Sequence, residues 1–203
     1  MSQELIAASG PSRTLSSRGV WLAALMRPSI ASYHVLGLEP RASLRRACMW
    51  IFVGGLIGGA INSLAPFTLE LAERSYVDTL LLALISVSSI IAVLYVAIFA
   101  WCAQGMARLF KGAGTYRQLA YVFAAFSAPL LIVASILDVI PQTRILLVGL
   151  YLYWIALYVV AVRAVSGLSA LKATAAVFGA LLILGCVWLA GAFLVGYSGL
   201  LLP

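Results

Sequence analysis

A chain of 203 residues that is 64% hydrophobic and 9% charged, with a mean hydropathy of +1.10, lies far from soluble domains, which carry about 25% charge. Such a composition excludes a water-soluble globular protein and points to an all-α integral membrane protein. At roughly 20 apolar residues per span plus connections, the length accommodates about five spans in one bundle.

The first residues, "MSQELIAASGPS", have no periodicity that would order them without a partner. Arg13 and Arg18 precede a short apolar run, "VWLAALM", but that run is too short for a signal peptide, is followed by Arg27-Pro28 and lacks a small-residue cleavage site. It is therefore expected to belong to the mature chain. Residues 1–46 are expected to form a cytoplasmic arm with one or two short interfacial helices. Trp21, Leu22, Leu25, Met26, Tyr33 and Leu36 would lie in the headgroup region, with arginines towards anionic lipid.

Five apolar segments follow, Ala47–Pro66, Thr79–Ala103, Gln118–Ile140, Ile145–Val162 and Ala173–Tyr197. Helices are expected, because lipid offers no partner to an unpaired backbone group and nothing here alternates like a barrel strand. The fold class is thus a five-helix transmembrane bundle with short N-terminal interfacial helices.

The first span contains "VGGLIGGAIN", four glycines in a helical context. Each costs a helix roughly 0.5–1 kcal/mol relative to alanine. At 100° per residue Gly54, Gly55, Gly58 and Gly59 fall within an arc of about 140°, together with Asn62 and small residues. Such a face permits close backbone approach of another helix. It is wide enough for two neighbours, or for one neighbour and a bound lipid. The fifth span repeats the theme with Gly179, Gly185 and Gly191 and is expected to be a partner of the first.

Pro129 stands in the middle of the third span, where it removes the hydrogen bond to the Ala125 carbonyl and predicts a kink. A neighbour or Ser127 can satisfy the freed group. Asp138 is an acid near the outer end of that span. It reads either as a boundary ion pair or cap with Arg144, or as a functional acid lining a path. In the fourth span Tyr151, Trp154 and Tyr158 share a face; this stripe serves interhelical packing or stacks on a flat ligand such as a quinone or pigment.

The three cysteines, Cys48, Cys102 and Cys186, sit in apolar runs, and the single histidine, His34, has no second ligand near it, so no disulfide, metal or other cofactor is expected. No catalytic triad, paired carboxylates, phosphate-binding loop or HExxH appears, and no enzyme is expected. The expected role is a scaffold or adaptor acting through helix association, such as an accessory subunit of a larger membrane complex. The alternative is a small transporter, channel or lipid-handling protein. The expected partners are membrane lipids, other transmembrane helices or protein subunits, and a second copy of the chain. The net charge of +7 follows from topology and needs no nucleic acid.

The segment "GAGTYRQLAYVFAAFSAPLLIVASILDVIP", Gly112 to Pro141, is similar to the middle of the Yip (Ypt-interacting protein) family domain. Its polar loop with Thr-Tyr leads into a span holding a tyrosine and a central proline, then closes on Ile-Pro. The stretch Leu146 to Gly185 resembles the family's next part, and "WLAALMRPSIASYHVL" its entry. The resemblance implies a five-helix membrane domain with a cytoplasmic N-terminus. In eukaryotic members it implies Rab-type GTPases, homologous membrane partners and vesicle traffic. This chain lacks the long N-terminal extension and its Asp-Leu-x-Gly-Pro motif, which points to a prokaryotic-type member in the bacterial inner membrane.

Orientation is testable. Arg13, Arg18, Arg27, Arg41, Arg45 and Arg46 precede the first span; Arg108, Lys111 and Arg117 join the second and third; Arg163 and Lys172 join the last two. The alternate connections carry Glu70, Glu73 and Asp78 with Arg74, then Asp138 with Arg144. The positive-inside rule then sets the N-terminus in the cytoplasm and the C-terminus outside. A cysteine at Arg108 should react with impermeant reagent only from the cytoplasmic side, and one at Glu73 only from the other; the reverse result overturns this orientation.

Overall fold

The computed structural model describes residues 17–26, 28–64 and 74–201, and these contain seven α-helices, a single-turn 3-10 segment and no strand. They are α1 (Ser17–Met26), α2 (Ile30–Gly37), α3 (Leu44–Leu64), α4 (Arg74–Leu109), α5 (Tyr116–Val139), α6 (Arg144–Ser166) and α7 (Ala170–Leu201). Five of them, α3 to α7, are long and apolar enough to cross a membrane. Their apolar stretches run over Leu44–Ser63, Val87–Leu109, Tyr116–Val139, Ile145–Ser166 and Ala170–Gly191. Glu70 and Glu73 lie outside the described residues. Large apolar side chains such as Leu94, Trp101, Leu152, Leu182 and Trp188 are exposed along these helices, as lipid contact requires and water would penalise.

Helix α5 is the centre. From Leu119 to Ala128 every residue is buried, because α1, α2, α3, α4 and α6 all pack around it. The most extensive contact is with α3. A Cβ built on Gly54 would lie 2.7 Å from the Ala128 carbonyl oxygen and 3.0 Å from its Cα. One built on Gly58 would meet the Ser135 hydroxyl at 2.6 Å. Gly55 faces α4 instead, where a Cβ would lie 2.9 Å from Ser89 Cα, and Gly59 faces Ser88 and Ile85. The two interleaved GxxxG pairs thus address different neighbours: Gly54 and Gly58 face α5, Gly55 and Gly59 face α4.

The fifth span does not join them. Among the described residues α7 touches α4 and α6 and not α3. Gly179 lies against Met106, while Gly185 and Gly191 have nothing within 4 Å of a would-be Cβ. The expected pairing of first and fifth spans is therefore corrected: α4 and α5 already fill the small-residue face of α3.

The two short N-terminal helices also place their side chains differently from the expectation. Tyr33 and Leu36 are buried, and Trp21 and Leu25 pack against the core rather than entering a headgroup layer. Met26 alone of the expected set is fully outward, and the side chain of Leu22 lies outside the description. Pro28 disfavours helix at the residue before it, and Ser29 starts α2 by accepting a hydrogen bond from the Ser32 amide at 3.0 Å. The break leaves orphan carbonyls at the end of α1, and two tyrosines satisfy them. Tyr33 donates to the Ala24 carbonyl at 2.7 Å and Tyr153 of α6 to the Leu25 carbonyl at 2.7 Å. Tyr33 also stacks on Phe126, centroid to centroid 5.9 Å. Since Tyr153 is about 15 Å of helix from Arg163, α1 and α2 flank only the half of the bundle nearest its basic end.

At that basic end a polar cluster joins four elements. Tyr121 donates to one oxygen of Glu39 at 2.7 Å, and Arg46 approaches the other at 3.4 Å. The guanidinium also lies over the Trp50 ring at 4.8 Å, and Trp50 meets Trp21 edge-on at 6.1 Å. The loop into α5 is compact for related reasons. Lys111 takes a positive φ of 63° and lets Gly112 donate to the Ala107 carbonyl at 2.8 Å, closing α4. Gly114 lies so close to Val165 that a Cβ would meet its carbonyl oxygen at 2.7 Å. Thr115 and Gln118 then form a reciprocal cap on α5.

The glycine contacts differ in what opposes them, and this sets an order. Gly54→Ala should destabilise by about 1–3 kcal/mol, because Ala128 backbone must yield. Gly58→Ala should cost less, since a serine hydroxyl can rotate away. Gly149, with nothing within 4 Å, should tolerate alanine or gain up to about 1 kcal/mol. Thermal unfolding in detergent measures the series; a Gly54→Ala variant as stable as wild type would refute the close approach.

Candidate functional site

Beyond the basic half, where α1 and α2 end, the helices diverge around a cavity of about 570 Å³, within the roughly 300–1,000 Å³ typical of ligand sites. Its floor is aromatic. Tyr158 is buried among Phe99, Phe123 and Phe126 at centroid distances of 4.5, 4.6 and 5.1 Å. One turn away in α6, Trp154 donates its indole N–H to Ser127 Oγ at 3.1 Å, and Ser127 Oγ lies 3.2 Å from the Tyr158 hydroxyl. A single serine therefore binds the polar tips of both aromatics, and their rings face the cavity. Tyr151, half exposed at the rim, stacks on Trp154 at 6.4 Å with planes 10° apart.

The walls are lined by Tyr95 and Ser88 of α4, Leu131 and Ser135 of α5 and Leu181 of α7. Ser88 and Ser135 donate to their own helix carbonyls, Ile85 at 2.8 Å and Leu131 at 2.9 Å. Asn62, near the end of α3, and Asp138, at the end of α5, are exposed and line the same cavity. They supply its amide and its carboxylate, at the end of the bundle opposite the Arg46 cluster.

The structure thus gathers Asn62, Asp138, Tyr151, Trp154 and Tyr158 around one space. It does not bring in Gly185 or Gly191. Pro129 lies within an unbroken α5, next to the Ala128 backbone on which Gly54 rests; Ser127, expected as one means of satisfying the group freed by the proline, is engaged with α6. The side chain of Arg144 lies outside the description, and with it the Asp138–Arg144 pair. Tyr95, Ser88 and Ser135 carry no pattern that distinguishes them from ordinary span residues; only their convergence does so. Among the described residues no group of His, Cys, Asp or Glu could hold a metal.

This architecture, five helices long and apolar enough to cross a membrane, with α5 at their centre and a cavity between them, defines a polytopic integral membrane protein. The Yip1 domain model matches residues 23–192, and the chain belongs to that family. Neither the curated proteins nor the solved structures offer a match.

Ser127 is the point of greatest leverage here. Ser127→Ala leaves an indole N–H and a phenol unpaired in the core and should cost about 1–3 kcal/mol. Tyr158→Phe, which removes the polar atom with its partner's need, should cost less. Melting temperatures of the two variants check the order, and equal values would mean that Ser127 does not organise the floor.

Proposed function

We propose that this chain is a non-enzymatic scaffold or adaptor, an accessory subunit of a larger assembly in the bacterial inner membrane. The observation that carries this reading is the unpacked end of α7. Every residue from Gly185 to Gly191 is exposed, Trp188 and Leu189 among them, and neither glycine has an atom within 4 Å of where a Cβ would sit. A membrane helix keeps such glycines at a cost in helix stability, and close approach by another helix returns it. The glycines of α3 cannot serve this purpose, being covered by α4 and α5. The partner is a transmembrane helix of another subunit or of a second copy, with lipid filling the remaining surface. The buried polar groups support a non-catalytic role, because Ser127, Tyr158, Trp154, Tyr33 and Tyr121 are all engaged in holding helices together.

Native mass spectrometry of gently solubilised protein tests this. Gly185→Leu combined with Gly191→Leu should dissociate the co-purifying subunit or second copy and leave the melting temperature unchanged, since neither residue packs within the chain. Retention of the complex by the double variant would overturn the assignment to α7.

A further inference from the structure

The cavity remains unused by association through α7, and its chemistry is directional. Its floor presents aromatic ring faces, because Ser127 holds the polar tips of Trp154 and Tyr158 away from it. The hydroxyl protons of Ser88 and Ser135 are turned to their own helices. The floor therefore offers a ligand mainly aromatic ring surface, with the phenols of Tyr95 and Tyr151 added at the wall and rim. At the other end stand Asn62 and Asp138, separated from the floor by about 16 Å of helix, from Asp138 back to Ser127. An apolar depth with a polar rim matches a lipid chain inserted tail-first.

We propose that this cavity binds a membrane amphiphile of the aminophospholipid class, with an acyl chain on the Trp154–Tyr158 floor and a primary ammonium headgroup on Asp138. A carboxylate only accepts hydrogen bonds, so the headgroup that meets it must donate them. An ammonium does so with charge assistance, which makes the bond roughly twice as strong as a neutral one. The Asn62 amide both donates and accepts, and it suits the phosphate or ester oxygens next to that ammonium. A lipid whose headgroup carries only a phosphate and hydroxyls brings like charge against Asp138, and the repulsion disfavours it. The cavity therefore selects by headgroup, while the chain supplies the affinity.

The test uses the full chain reconstituted in vesicles of equal phosphatidylethanolamine, phosphatidylcholine and phosphatidylglycerol, extracted in mild detergent, with retained lipid identified by mass spectrometry. Wild type should retain phosphatidylethanolamine several-fold above its bulk share. Asp138→Asn should bring the headgroup ratios to the bulk values with the total retained lipid unchanged. Ala134→Trp, which fills the cavity from α5, should reduce total retained lipid, and Leu181→Trp does the same from α7 should the first variant misfold. Bulk ratios in wild type, or an unchanged preference in Asp138→Asn, would overturn the headgroup assignment. Equal retention of phosphatidylcholine would overturn the requirement for N–H donors. Undiminished lipid in both folded tryptophan variants would overturn the cavity as the site.

Discussion

How near α3 can approach α5 and α4 governs the rest of the bundle. In lipid no hydrophobic gain accompanies helix association, so packing density and backbone proximity decide it. Gly54 lets α3 settle on the Ala128 backbone, and Gly55 lets α4 settle on the adjoining face. With α3 held on one side of α5, the other side is left to α6 and to the N-terminal pair α1 and α2. Helix α7 finds no room at the centre and lies outermost, against α4 and α6. The cavity follows from the same arrangement, because α1 and α2 reinforce only one half of a five-helix wall.

Polar groups inside this bundle are used chiefly as fasteners. Tyrosine hydroxyls close the end of α1 where Pro28 prevents further helix, and Ser127 joins α5 to two aromatics of α6. Glu39 is tied by both Tyr121 and Arg46 at the basic end. In a low-dielectric setting an unpaired polar group is costly, so such pairings define one arrangement of helices against many alternatives of similar apolar packing. Four buried atoms lack a protein partner among the described residues: the indole nitrogens of Trp21 and Trp50, Gln104 Oε1 and Ser166 Oγ. The first two adjoin the Arg46 cluster and the latter two the loop into α5, both at the basic end.

The family segment from Gly112 onwards gains a physical meaning in this setting. Gly112 and Gly114 allow the connection to lie against Ser166 and Val165, Thr115 caps α5, and Tyr116 extends its hydroxyl to the Ala97 carbonyl at 3.4 Å. The short polar loop is thus the clamp that joins α4, α5 and α6 at one level. Gly167, at φ 65°, ends α6 beside it, which returns the chain to α7 without a longer loop.

The residues alone determined the membrane class, the five spans and the family, because each depends on composition, run length or a local motif. These are one-dimensional properties: a stretch of apolar residues must become a helix in lipid wherever its neighbours lie. The small-residue face of α3 was legible in the same way, as an angular pattern about one axis. Which helix occupies each part of that face was not, since α4, α5 and α7 all offer small or flexible residues and only simultaneous packing excludes α7. The inward turn of Tyr33 and Trp21 was equally hidden. Amphipathic aromatics suit a headgroup layer as well as a protein crevice, and the choice rests on carbonyls of α1 that become orphans only once Pro28 breaks the helix beside α6. The meeting of Asn62, Ser135, Asp138 and Tyr158 around one cavity belongs to the tertiary structure alone, because that cavity is lined from all five long helices beyond the reach of α1 and α2, a distance relation that no single segment encodes.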